Sequence, residues 1–146
     1  KFPQKFDVVI SERVLINLAP EDQRSAFDWM IAHVAPGGVL LMAENSTQGL
    51  ARTNAMRAAV DLPPMKVAWH NNYLDEDLMV SWAPGYFDEV VHFSSTYHLL
   101  SRVVCSRLSR DKGDPLRYDS EISKLAYQLP AIGDLGATSL WIRRKR

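Results

Sequence analysis

Several features are scarce in this chain of 146 residues, and each scarcity removes a class of function. There is no excess of charge of either sign: 17 Lys and Arg balance 17 Asp and Glu. A protein that neutralises phosphates carries a basic surplus, so no nucleic-acid partner is expected. The basic run Arg143-Arg144-Lys145-Arg146 reads instead as a solvated strand end. Cys105 is the only cysteine, which excludes an intramolecular disulfide and fits a reducing cytoplasm. No apolar run approaches the roughly 20 residues of a membrane span. Residues Lys1 to Asp7 do not form a signal peptide, so a cytoplasmic, membrane-free protein is expected. His33 lies on the crossover helix, far in sequence from His92 and His98, and nothing has His-x-x-x-His spacing, so no metal site is expected. Without a Gly-x-Ser-x-Gly elbow, a serine hydrolase is disfavoured. A glycine-rich Gly-x-Gly loop is absent as well: Gly37-Gly38 reads as a helix terminator, and Gly133 and Gly136 fall in a late loop.

What is present is an ordinary globular composition, 47% apolar and 23% charged, of a length that buries a core. No repeat or linker interrupts it, so residues 1–146 read as one domain with a substrate-side insertion at about 62–84. Phe6-Asp7-Val8-Val9-Ile10-Ser11 is a continuous β-branched run, suited to a strand covered on both faces. Glu12 to Leu18 has helical spacing at Val14, Leu15 and Leu18. Pro20 then opens a helix, with Glu21 and Asp22 in its first turn and Phe27, Met30, Ile31 and Val34 along one stripe. Pro36-Gly37-Gly38 is expected to end it. Val39 to Ala43 is a second apolar strand, which makes a strand–helix–strand unit with two parallel strands. Ser46 to Val60 reads as a helix with Leu50, Met56 and Val60 inward, stopped by Leu62-Pro63-Pro64.

Residues 65–84 have no clear period, apart from a short helix through Ser81-Trp82 that Leu74-Asp75-Glu76-Asp77 caps. Phe87 to Phe93 suits a strand. Leu99 to Leu108 looks helical with Val103, Val104 and Leu108 on one side. Residues 111–115 form a polar loop, Ile122 to Leu129 a short helix, 130–136 a loop, and Thr138 to Ile142 a closing strand. The fold class is therefore α/β.

In open α/β sheets, ligands bind outside the carboxyl ends of the strands. Here the first strand ends at Ser11-Glu12-Arg13 and the second at Glu44-Asn45-Ser46-Thr47. Both turn abruptly from apolar to polar at the same edge, which marks a shared crevice.

The same residues carry a family resemblance. Phe6 to Ser11, Val14-Leu15-Ile16-Asn17-Leu18, a helix, and Val34-Ala35-Pro36-Gly37-Gly38-Val39-Leu40-Leu41-Met42 resemble the central stretch of class I S-adenosylmethionine-dependent methyltransferases. Glu44-Asn45, the helix around Arg52 to Arg57, and Trp69 to Glu76 are similar to a bacterial subgroup of uncertain substrate. The resemblance implies the C-terminal half of that domain, strands four to seven. The implied fold is a partial three-layer Rossmann-like one, mostly parallel with an antiparallel last strand.

It also implies S-adenosylmethionine as cofactor, with Ser11, Glu12 and Arg13 lining its inner side. The family's glycine-rich loop and the acidic residue closing its second strand have no counterpart here. The chain alone is therefore expected to bind cofactor weakly and to be inactive, and a half-sheet should expose apolar surface beside Val8 and Ile10.

The implied chemistry is in-line methyl transfer to oxygen or nitrogen of a small polar acceptor, carried by alignment and helped by a general base. His70 is the preferred base and Glu44 its rival. Asn45, Asn71, Asn72 and Tyr73 are the candidate acceptor contacts. Arg52 could receive an acidic group, although Arg52 and Arg57 also read as a solvated helix face. A histidine in an aromatic segment is more often packed than catalytic. Glu12 and Arg13 alone could form a surface ion pair of little consequence.

Two other functions compete. The second half of a nicotinamide-dependent oxidoreductase shares the parallel unit, but neither Tyr118 nor Tyr127 begins a Tyr-x-x-x-Lys pair. An inactive, truncated domain acting through protein contacts fits the missing glycine loop, and its open sheet edge would favour a homo-oligomer.

Overall fold

The computed structural model describes residues 4–84, 86–109 and 117–144. The first strand, β1 (Phe6–Glu12), is followed by a single 3-10 turn at Leu15–Asn17, then by α1 (Pro20–Ala32) and β2 (Val34–Asn45). Pro20 takes the first helical position, where its missing N–H is no loss, and Glu21 and Asp22 face the positive end of the helix. Strands β1 and β2 are parallel, with Val8 opposite Val39 and Ser11 opposite Met42. The strand–helix–strand unit is present, but the turn between helix and strand is not where the sequence pattern placed it.

Helix α1 already ends at Ala32, and Val34, read as part of the helical stripe, is the first residue of β2. Pro36-Gly37-Gly38 lies inside β2 and does not terminate the helix. Phe6 pairs with Val34 and Val8 with Val39, so β2 bulges by three residues between these pairs. The bulge explains the glycines. Gly37 has a φ of +76°, and a Cβ on Gly38 would stand 2.8 Å from the Asp7 carbonyl oxygen.

Two compact units divide the described chain: Lys1–Ser46, Ala68–Val91 and Leu140–Arg146 in the first, Thr47–Val67 and His92–Ser139 in the second. The first holds the core of the sheet. Its strand order is β1-β2-β4-β3, with β3 at Phe87–Val91 and β4 at Thr138–Arg144. Strands β3 and β4 are antiparallel, Glu89 opposite Ile142 and Val91 opposite Leu140. The closing strand is thus inserted between β2 and β3 instead of being added at the edge.

Leu40 and Met42 of β2 bury their side chains with Phe27 and Met30 of α1 and with Leu15, Ile16, Leu74, Met79 and Trp141. Met79 comes from α3 (Glu76–Ser81), whose first turn Asp75 caps by accepting a hydrogen bond from Leu78 N at 2.8 Å.

Two expectations fail in this unit. Strand β1 is covered on one face only: Phe6, Val8 and Ile10 are 43%, 50% and 73% exposed. The apolar surface expected beside Val8 and Ile10 is there, because the face of β1 that carries Phe6, Val8 and Ile10 is left without cover. Arg143, read as part of a solvated end, is fully buried; its Nη2 donates to the Met79 carbonyl at 2.7 Å and its guanidinium lies 4.9 Å from the Phe27 ring centre. The β-strand period decides this, since Ser139, Trp141 and Arg143 share the inward face. Lys145 and Arg146 lie outside the described residues.

In the second unit α2 (Thr47–Ala58) buries Gly49, Thr53 and Arg57, one face at four-residue spacing. Leu50 and Val60 are only half-buried and Met56 is exposed, so the inward face is not the one the apolar residues suggested. Arg57 is not a solvated residue either. Its guanidinium donates to the carbonyls of Pro63 and Arg102, and desolvation together with the nearby Arg102 lowers its pKa.

One continuous helical stretch follows, made of α4 (Ser95–Tyr97), a π-helical segment (His98–Val104) and α5 (Cys105–Leu108). It turns His98, Ser101, Val103 and Ser106 inward, while Val104 and Leu108, expected to face the core, are exposed. The wider π turn resets the phase of the stripe, which α-helical spacing cannot anticipate. The stretch packs on α6 (Glu121–Gln128), capped by Ser120, through Ser101 Oγ and Ser123 Oγ at 3.1 Å and a Tyr97–Tyr127 stack. The polar loop expected at 111–115 lies outside the described residues.

Candidate functional site

The carboxyl ends of β1 and β2 are built around one buried carboxylate. Glu44, the last but one residue of β2, is fully buried. Its Oε1 accepts hydrogen bonds from Ser11 Oγ at 3.2 Å, Val14 N at 2.9 Å and Leu15 N at 3.1 Å, and its Oε2 from Ile16 N at 3.4 Å. Val14 to Ile16 begin the 3-10 turn, whose first N–H groups have no partner within the turn. Glu44 therefore acts as a cap delivered from the neighbouring strand. Burial raises the Glu44 pKa, and the hydrogen bonds from Leu15, Val14, Ile16 and Ser11 pull it back in part.

The loop between β1 and this turn is sharply bent. Arg13 has a φ of +52°, in the left-handed region that costs a non-glycine residue about 1 kcal/mol or more. The bend is held at both sides: Arg13 N donates to the Ala43 carbonyl at 2.8 Å, and Asn17 Nδ2 donates to the Arg13 carbonyl. Glu12 and Arg13 are left exposed at the rim, whereas Ser11 is buried with its hydroxyl on Glu44.

A second loop, 68–74, is laid against the first. Asn72 N donates to Ile16 O at 2.6 Å, Asn72 Nδ2 to Leu18 O at 2.9 Å, and Gln23 Nε2 to both Asn72 O and Leu15 O. Leu74 N donates to the Asn45 carbonyl, and Ser46 and Leu74 form a parallel bridge. Asn45 is buried, Tyr73 is half-buried against the core, and His70 is exposed.

The structure thus brings Ser11, Glu44 and Asn72 into one hydrogen-bonded frame, with Glu12, Arg13 and His70 exposed beside or beyond it. Asn71 is half-buried and its Oδ1 has no hydrogen-bond partner. Arg52 belongs to the second unit, where its Nε donates to the Asp134 carbonyl and pairs with that carboxylate at 3.4 Å. Among the described residues no cluster of three or more His, Cys, Asp and Glu could hold a metal ion. No described helix is long and apolar enough to cross a membrane.

Gln23 is the member of this frame that the sequence pattern did not single out. Its signal was a polar residue four positions before Phe27, on the buried stripe of α1. A buried amide on such a stripe has to find partners, and it finds two carbonyls.

No protein-family model matches the chain. No curated protein matches it either. Among solved structures it is similar to the small RNA methyltransferase HEN1, at 13% identity and a TM-score of 0.48, over 98% of this chain and 14% of that one. The chain therefore spans about a seventh of the length of that protein.

Proposed function

We propose that this chain is the second half of an S-adenosylmethionine-dependent methyltransferase, acting within a longer cytoplasmic polypeptide on oxygen or nitrogen of a small polar acceptor. The observation that supports it is the strand order β1-β2-β4-β3, in which a parallel unit is followed by a closing strand antiparallel to β3. An antiparallel last strand beside a parallel unit is what the resemblance of Phe6 to Met42 to class I methyltransferases implies. The open edge of β1, with Val8 and Ile10 exposed, is where the strands of a first half would join.

The residues present fit one side of the cofactor only. Exposed Glu12 and Arg13 stand at the carboxyl end of β1, on a loop that Glu44 and Ala43 fix from β2. The described glycines of this unit, Gly37 and Gly38, lie in the bulge near the start of β2, away from that end. The cradle for the methionine part therefore has to come from outside residues 1–146.

S-adenosylmethionine, when bound, supplies the electrophilic methyl group. The chain supplies position and proton handling. Glu44 holds the Ser11 to Ile16 loop in one conformation, so it is a positioning residue. Its oxygens already accept four hydrogen bonds and it is closed to solvent, which favours His70 as the base. His70 is exposed on a loop that Asn72 anchors, free to take a proton from an acceptor hydroxyl or amine. Asn45, Asn71 and Tyr73 complete the acceptor side.

Calorimetric titration with S-adenosylhomocysteine tests this. A polypeptide that joins a glycine-rich first half ahead of Lys1 gives saturable heat, and residues 1–146 alone give little. Absence of binding by the longer polypeptide would refute the reading.

A further inference from the structure

The segment between α6 and β4, in the second unit, is tied down by hydroxyl groups of its neighbours. Ser94, Ser95 and Thr96 are consecutive and buried, and each of them bonds to it. The Thr96 hydroxyl donates to the Pro130 carbonyl, Ser95 Oγ accepts from Ile132 N at 2.9 Å, and the Ser94 hydroxyl donates to the Thr138 carbonyl. From α2, Thr53 Oγ1 accepts from Gly136 N at 3.1 Å, and Arg52 holds Asp134. Apolar burial adds little over residues 130–134, which are exposed, Ile132 by 52%. A strap held by single polar ties sits at the low end of local stability, where segments open before the core does.

His98 lies against the end of this strap. It is buried, and its Nδ1 stands 2.9 Å from the Ser94 carbonyl. Nδ1 therefore carries the proton of the neutral ring, and Nε2 is the atom that takes a second one. Gly136, at a φ of +110°, passes so close that a Cβ there would stand 2.7 Å from His98 Nδ1. We infer that residues 130–137 form an acid-released strap, closed on a neutral His98 and opened when that ring takes up a proton.

The groups on the surrounding elements set the direction of the switch. Burial lowers the His98 pKa, and Arg102, one turn further along the same stretch, lowers it again. Helix α2 contributes Arg57, bonded to the Arg102 carbonyl, and Arg52. Two carboxylates stand on the neighbouring elements, and both are already paired: Asp134 of the strap with Arg52, and exposed Glu121 of α6 with Lys124. Tyr97 meets the imidazole edge-on at 5.3 Å, Tyr127 of α6 stacks on Tyr97, His92 bonds to Ser139 Oγ, and Arg107 of α5 is exposed. A His98 cation thus has arginine as its charged neighbour, whereas opening the strap gives the ring to water. The closed form is at its best above 6.5, the ordinary histidine value, and loses ground as pH falls toward the lower folded one.

Amide hydrogen exchange of the whole chain, followed by NMR and corrected for the intrinsic effect of pH, tests the strap. The Ile132 and Gly136 N–H groups, both bonded to hydroxyls, should lose protection by about threefold or more between about pH 7.5 and about pH 5. The amides of β2, in the first unit, should not lose it, which separates release of the strap from unfolding of the chain. His98→Gln removes the pH effect at Ile132 and Gly136. Gly136→Ala drives a methyl to 2.6 Å from Ser94 Oγ and 2.7 Å from His98 Nδ1, and so lowers Ile132 protection already at the higher pH. A smaller change at Ile132 and Gly136, an equal loss across β2, the same loss in His98→Gln, or full Ile132 protection in Gly136→Ala would each overturn the proposal.

Discussion

Removing the Glu44 carboxylate tests whether the site frame is built as described. In Glu44→Ala the N–H groups of Val14, Leu15 and Ile16 and the Ser11 hydroxyl lose their acceptor. A buried donor left unsatisfied costs about 1–3 kcal/mol. Val14 is exposed enough to find water, and the Ile16 bond is long, so Leu15 and Ser11 carry most of the loss. The expected destabilisation is about 3 kcal/mol. Glu44→Gln keeps one acceptor oxygen for Ser11, Val14 and Leu15 but turns an amide N–H toward Ile16 N, which costs about 1 kcal/mol.

The two variants also separate by pH. Burial raises the Glu44 pKa above its ordinary 4.5, so the folded state holds that proton more tightly than the unfolded chain. The stability this contributes is fully present below 4.5 and is lost as pH rises through the higher folded value. Glutamine has no such dependence. The parent should therefore lose ground to Glu44→Gln as pH climbs above 4.5.

Urea unfolding followed by tryptophan fluorescence reads this directly, because Trp29, Trp69, Trp82 and Trp141 all belong to the first unit. A Glu44→Ala midpoint shift worth less than about 0.5 kcal/mol, the size of an ordinary surface substitution, would refute the capping role. A parent that gains on Glu44→Gln with rising pH would refute the burial argument.

Two further outcomes follow from the same geometry. Gly38→Ala places a methyl 2.8 Å from the Asp7 carbonyl oxygen, a backbone atom that cannot rotate away. It should cost about 1–3 kcal/mol by the same fluorescence assay; a neutral substitution would mean the bulge in β2 opens freely. In the second unit His98 is buried with Nδ1 against the Ser94 carbonyl, and burial lowers its pKa, with Arg102 adding to the effect. Its contribution is present above 6.5, the ordinary value, and is lost as pH falls through the lower folded one. Far-UV circular dichroism of the whole chain should therefore show a loss of helical signal below pH 6.5 that His98→Gln removes, and an unchanged slope in that variant would contradict it.

The sequence made the strands and the ends of helices legible wherever one strong local signal stood alone. Pro20 at the start of α1, Asp75 before α3 and the apolar runs of β1 and β2 each have a mechanism that tertiary contacts did not override. The failures have different causes. At α2 and at Val104 and Leu108, apolar residues mark an inward face in the sequence pattern, yet Thr53, Arg57, Ser101 and Ser106 are buried there, and of the expected residues of the later stretch only Val103 is. At the Pro36-Gly37-Gly38 bulge, glycine was read as a stop when the close passage of Asp7 was what required it. At the bulge a non-local partner set the outcome, and at 98–104 the π turn shifted the phase; a regular period read along one segment contains neither.

The candidate site divides along the same line. The sequence placed it at the carboxyl ends of two adjacent strands, since a switch from apolar to polar at a strand end is local. It could not assign work within the site, because Glu44 earns its role from four donors found 28 to 33 residues earlier in the chain. Three of its bonds fall on Oε1, and the fourth, from Ile16 N to Oε2, is long, so Oε2 is the one oxygen with room for a proton. That oxygen is closed to solvent, so Glu44 has no open route for passing a proton between water and an acceptor. His70 is exposed, and it is Asn72, two residues away, that bonds the loop to its neighbours. Proton transfer and positioning thus fall to different residues in the proposed site: His70 handles the proton, and Glu44, bonded on Oε1 to Ser11, Val14 and Leu15, keeps the loop in place.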